Sequence, residues 1–151
     1  AGALLSGAMA LGAAAAGADQ ATLEALRRCG ERLGTAAQIQ DDIIQVWKTS
    51  DAQGASPKML NKSKLFPVVY ALEKAALAQK RALGEAYFKR IMEPDDVQRV
   101  RRVLEEVGAR EYAEQKAQAI TREALQELEA TDLAHEVKEH WAQIAAFLVE
   151  S

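Results

Sequence analysis

The chain has 151 residues, 49% of them apolar and 27% charged, which is enough for a domain with its own hydrophobic core. Its formal charge of −3 leaves no basic footprint, so nucleic acid is not expected as a partner. The single cysteine, Cys29, rules out an internal disulfide framework and is compatible with a reducing cytoplasm, the expected location.

Residues 1–17 predict a first helix. The stretch is apolar throughout but only weakly so, lacks a positive leading region, and falls short of the roughly 20 strongly apolar residues that a spanning helix needs. It therefore reads as neither a signal peptide nor a transmembrane segment. Gly2, Ser6, Gly7, Gly12 and Ala16 let backbones approach closely, which predicts a buried helix packed tightly against its neighbours. The chain opens without methionine on an uncapped apolar turn, as a helix cut in its middle would.

A second helix is predicted over about residues 20–47, with Asp19 or Thr22 as its cap. At about 100° per residue, Gly34, Gln38, Asp41, Asp42 and Gln45 share one narrow stripe, flanked by Leu33, Ile39, Ile43, Ile44 and Trp47. A polar stripe bordered by large apolar side chains suits a helix that lines a polar cavity. Two adjacent carboxylates there repel each other and lose hydration unless a cation lies between them. Oxygen ligands from one helix plus retained water suit Mg²⁺, which commonly bridges carboxylates to phosphates. On spacing alone, an exposed and solvated acidic pair fits equally well.

Residues 48–61 read as a polar loop rich in helix breakers, placed directly after the stripe. The pattern then predicts a helix over 63–80 with Pro67 in its first turn, a short helix over 82–91, and a helix from Glu93-Pro94-Asp95-Asp96 to Gly108. A helix over 109–129 presents an alanine-rich face. The last runs from Asp132, its expected N-cap, to 150. His135 and His140 lie five residues apart and diverge on that helix, so they do not share a metal easily. Cys29 reads as a small buried hydrophobe. There are no β-hairpin signals or internal repeats, and residues 1–151 read as one all-helical half-domain.

Gly34, the Gln38-x-x-Asp41-Asp42 core, the loop after it and Phe66-Pro67-Val68-Val69-Tyr70-Ala71-Leu72 together resemble the second half of the trans-isoprenyl diphosphate synthases. Leu4-Leu5, Leu11-Gly12-Ala13 and Ala16-Gly17-Ala18 on one side, and Gly108-Ala109-x-Glu111-Tyr112-Ala113 on the other, extend the likeness in the family's order. The resemblance implies an all-α antiparallel helix bundle of the isoprenoid-synthase type, here its C-terminal half. It implies a prenyltransferase that condenses an allylic prenyl diphosphate with isopentenyl diphosphate. Asp41 and Asp42 would be Mg²⁺ ligands and catalytic residues, with Gln38, Gln45, Lys62 and Lys64 as substrate-binding groups.

The chain departs from the family pattern in several places. Gln45 replaces the last aspartate of the second acidic motif, Ala55 replaces a lysine, and Ser63 and Leu65 stand before Pro67 where a lysine and a hydroxyl residue are usual. Lys48 and Lys58 also lie on the loop. The first acidic motif is absent, and Asp95-Asp96 after Pro94 reads as helix capping. Half a site implies a missing N-terminal half or partner chain, hence a homo- or heterodimer, and no turnover by these residues alone. The alternative is a non-catalytic subunit derived from the same family.

Overall fold

A computed structural model describes residues 2–48 and 56–150, apart from the side chain of Glu150. The described residues form eight helices and no strand: α1 (Gly2–Ala15), α2 (Gln20–Trp47), α3 (Pro57–Leu60), α4 (Phe66–Lys74), α5 (Leu77–Phe88), α6 (Pro94–Glu106), α7 (Ala109–Glu129) and α8 (His135–Glu150). They gather into two compact units. Residues 1–40 with 115–151 form the first and residues 41–114 the second, so α2 and α7 each run through the division.

In the first unit, Met9 and Ala13 of α1, Leu26, Cys29 and Leu33 of α2, Ala124 and Leu128 of α7 and Ala145 of α8 make one core. The helix expected to be buried, α1, is buried along one face. Only the Ser6, Met9, Ala10, Ala13 face is buried, while Leu4 and Leu11 stand 81% and 73% exposed. The close approach that small residues permit occurs on that inner face, where a Cβ built on Gly30 of α2 would lie 2.6 Å from Ser6 Cα. Gly7 and Gly12 have open space beside them. Asp19 caps α2 by accepting the Thr22 N–H at 2.8 Å.

In the second unit, Val97, Val100 and Leu104 of α6 are fully buried, with Met59, Val68, Leu83 and Val46 in the same cluster. Each such side chain contributes on the order of 1.5–3 kcal/mol through burial, so the apolar stripe of α6 holds α3, α4 and α5 together. Gly108, at φ 68°, ends that helix in the left-handed conformation that glycine adopts without a Cβ penalty.

Three predicted boundaries are corrected. The helix expected over 63–80 is two helices, because Ala75 and Ala76 are extended and the Gln79 side chain reaches back to accept the Ala76 N–H at 3.0 Å, starting α5 afresh. The short helix expected over 82–91 is the rest of that α5. Asp132 does not cap α8, which begins at His135; Thr131 bonds the Leu128 carbonyl at 2.6 Å and Lys138 bonds the Thr131 carbonyl at 2.8 Å, tying the connection to the end of α7. Of the loop expected over 48–61, residues 49–55 lie outside the described residues, and residues 57–60 form the single turn α3.

Candidate functional site

The acidic pair lies in the last two turns of α2, where Ile43 and Val46 are fully buried and fix the rotation of the helix. Adjacent positions point about 100° apart, so the two carboxylates enter different surroundings. Asp41 keeps 43% of its side chain exposed, whereas Asp42 is only 8% exposed.

Asp42 Oδ2 accepts the backbone N–H of Phe66 at 2.8 Å. Phe66 opens α4, and Leu65 ahead of it offers no side-chain cap, so Asp42 satisfies a donor that the helix leaves over. Asp41 Oδ2 accepts from the Lys58 ammonium, delivered by α3. That bond, followed by the nearby charges of Asp41 and Asp42 acting against partial desolvation, holds Lys58 above the usual lysine range. Gln45, one turn along α2, brings its Nε2 to 3.5 Å from Asp41 Oδ1, at the limit of a hydrogen bond.

The end of α2 is held by cations. Arg101 Nε donates to the Val46 carbonyl at 2.5 Å, and the Arg110 guanidinium sits 5.7 Å from the centre of the Trp47 ring. Positive charge at a helix C-terminus complements the helix dipole, and the indole face attracts a guanidinium. Beyond Phe66, an aromatic face continues: Tyr112 stacks on Tyr70 at 4.1 Å between ring centres and on Phe66 at 6.1 Å.

The predicted site residues divide. Asp41, Asp42 and Gln45 lie together in the second unit with Lys58, while Gln38 belongs to the first unit and is exposed. Lys62, held at a positive φ of 56°, donates its ammonium to the Lys89 backbone carbonyl, and Lys64 is exposed. The partner of Asp41, Lys58, was not among the predicted site residues. Its signal was present: Ser56 followed by Pro57 is an N-cap with proline at the first helical position, which turns a loop lysine into one fixed on a helical turn.

A divalent cation at this pair would find one half-exposed carboxylate, Asp41, and a buried one, Asp42, already bonded to backbone. Among the described residues no group of three acidic, histidine or cysteine side chains is placed to hold a metal. Such a set fits a cation that keeps most of its ligands as water and phosphate oxygens, as Mg²⁺ does. It does not fit a metal held by the protein alone.

The described residues are all-helical, and comparison with solved structures places the chain in the isoprenoid-synthase class of folds. The polyprenyl synthetase sequence model matches residues 1–107, and the chain belongs to that family. A geranylgeranyl diphosphate synthase from Mycobacterium tuberculosis (strain ATCC 25618 / H37Rv) is 32% identical over 110 residues, covering 72% of this chain and 31% of the relative. Among solved structures, a polyprenyl synthetase from Streptomyces coelicolor A3(2) superposes with a TM-score of 0.86 at 30% identity, over 98% of this chain and 46% of that one. A geranylgeranyl pyrophosphate synthase from Corynebacterium glutamicum, solved with calcium and isoprenyl diphosphate, gives 0.83 at 28% identity, over 99% and 46%. The chain thus spans less than half the length of the relatives it matches.

Proposed function

We propose that this chain carries one acidic side of an isoprenyl diphosphate synthase site, and that Asp41 is its outward, metal-facing carboxylate. The observation that carries the reading is the division of labour between adjacent aspartates, one half-exposed and one buried against α4, within a chain of the polyprenyl synthetase family. The reaction is the condensation of an allylic prenyl diphosphate with isopentenyl diphosphate. The allylic carbon–oxygen bond breaks, pyrophosphate leaves with the electron pair, the isopentenyl double bond closes the new carbon–carbon bond, and a proton is lost. Mg²⁺, when bound, supplies positive charge to the departing pyrophosphate.

This chain's own residues orient and neutralise. Asp41 and Asp42 would hold the cation, Asp41 from its exposed side; Asp42 also fixes the start of α4 through the Phe66 N–H, and the Gln45 amide lies beside Asp41. Lys64, and Lys62 on release from the Lys89 carbonyl, are the proposed contacts to the diphosphate, and the aromatic face of Phe66, Tyr70 and Tyr112 continues from α4. The remainder of the fold supplies the other acidic motif, within one polypeptide or as the partner in a homo- or heterodimer, in the cytoplasm. No helix among the described residues is long and apolar enough to cross a membrane.

A second reading, a non-catalytic family-derived subunit, is favoured by the pairing of Asp41 with Lys58. Turnover of radiolabelled isopentenyl diphosphate decides between the two. Supplying the missing half of the fold, covalently or as a second chain, should give Mg²⁺-dependent product that Asp41→Ala abolishes. An assembled but inert pair establishes the non-catalytic reading, and turnover by the 151 residues alone defeats both.

A further inference from the structure

Asp41 has a cationic partner within this chain. Lys58 donates to its Oδ2, and each side chain keeps 43% of its surface exposed. A half-exposed ion pair of this kind is worth no more than about fivefold in an equilibrium constant, so ions from solution can compete with it.

The backbone that carries Lys58 is fixed, by contrast. Met59 beside it is fully buried in the core of the second unit. The Met59 N–H donates to the Ser56 hydroxyl at 3.2 Å, and the Ser63 N–H closes back on the Lys58 carbonyl at 2.9 Å. The ammonium can therefore leave Asp41 by rotating its flexible arm, but it cannot leave the neighbourhood.

We propose that Lys58 is an intrinsic counter-ion of Asp41 that a divalent cation displaces, and that the displaced ammonium then binds the diphosphate oxygens which that cation carries. The inference rests on the reading of Asp41 as the metal-facing carboxylate. A bare cation must displace the ammonium and leave it without an anion, which weakens its binding. A cation arriving with a diphosphate gives the ammonium a new anion in exchange, which strengthens binding. The two ligands become coupled through one side chain.

The test uses the 151-residue chain and titrates Mn²⁺, followed by its paramagnetic resonance signal, with and without inorganic pyrophosphate. Lys58→Met should tighten Mn²⁺ alone by about two- to fivefold and weaken Mn²⁺-pyrophosphate by about tenfold or more, the value of a charge-assisted hydrogen bond. Lys74→Met, the same charge change at the exposed end of α4, should shift both by much less. Circular dichroism melting checks that each variant folds. Binding that is intact in the wild type but unchanged in Lys58→Met, or shifted in the same direction for both ligands, overturns the role of Lys58 alone. Absence of Mn²⁺-pyrophosphate binding by the wild type overturns the reading of Asp41, and this inference with it.

Discussion

Asp42 and Phe66 are joined by a 2.8 Å hydrogen bond in which a carboxylate of α2 caps the first amide of α4. The residue in the N-cap position, Leu65, has no acceptor to offer, and Pro67 has no N–H of its own. A negative group at a helix N-terminus also meets the positive end of the helix dipole. The consequence is that the two adjacent aspartates are not equivalent: one holds the scaffold while the other faces outward.

Asp42→Ala should therefore lower the unfolding free energy by about 0.5–2 kcal/mol, the usual cost of losing a helix N-cap. Asp42→Asn, which keeps an acceptor oxygen, should cost less, and Asp41→Ala less than about 1 kcal/mol, as for an exposed pair. Urea unfolding of the three variants measures this order. Equal midpoints for Asp42→Ala and wild type would show that α4 starts without help from α2.

Opposite signs are expected for glycine substitutions in the first unit. Gly30→Ala would put a methyl 2.6 Å from Ser6 Cα and 2.7 Å from Ser6 N, and only backbone movement relieves that clash, at about 1–3 kcal/mol. Gly7→Ala and Gly12→Ala meet open space in a helix interior and should each stabilise by about 0.5–1 kcal/mol. Thermal melts of the isolated chain distinguish them; a stabilising Gly30→Ala would refute the close crossing of α1 and α2.

Asp96 links pH to stability. Its carboxylate takes both oxygens to the Lys89 ammonium at 2.8 Å and accepts the Glu93 N–H at 3.0 Å, contacts that hold it below the usual aspartate range. A carboxylate depressed in the folded state contributes stability that is present above its unfolded pKa, about 3.9, and lost as pH falls through the folded value. Asp96→Asn should flatten the decline in urea midpoint as pH falls below about 5, and parallel wild-type and variant curves would remove Asp96 from the acid response.

Cys29 is fully buried, and desolvation pushes its thiol up to about 11. At pH 8 the thiol should react with a disulfide reagent only after unfolding, because the thiolate is the nucleophile. Rapid labelling of the native chain would place Cys29 at the surface.

The helical class, a cap at Asp19 or Thr22, the extent of α2 and the apolar stripe of α6 follow from the amino-acid sequence, because each depends on neighbours within one or two turns; the structure selects Asp19. The break at Ala75 and Ala76 was less legible, since two alanines carry no stop signal and the Gln79 side chain that restarts the helix acts three residues away. Tertiary structure alone decided what each acidic residue does. The spacing placed Asp41 and Asp42 on one stripe, but burial of Ile43 and Val46 set its rotation, and groups 17 and 24 residues further along supplied the Lys58 and Phe66 partners. Local pattern determines where a helix forms; which carboxylate faces water and which one caps another helix depends on contacts between segments distant in the chain.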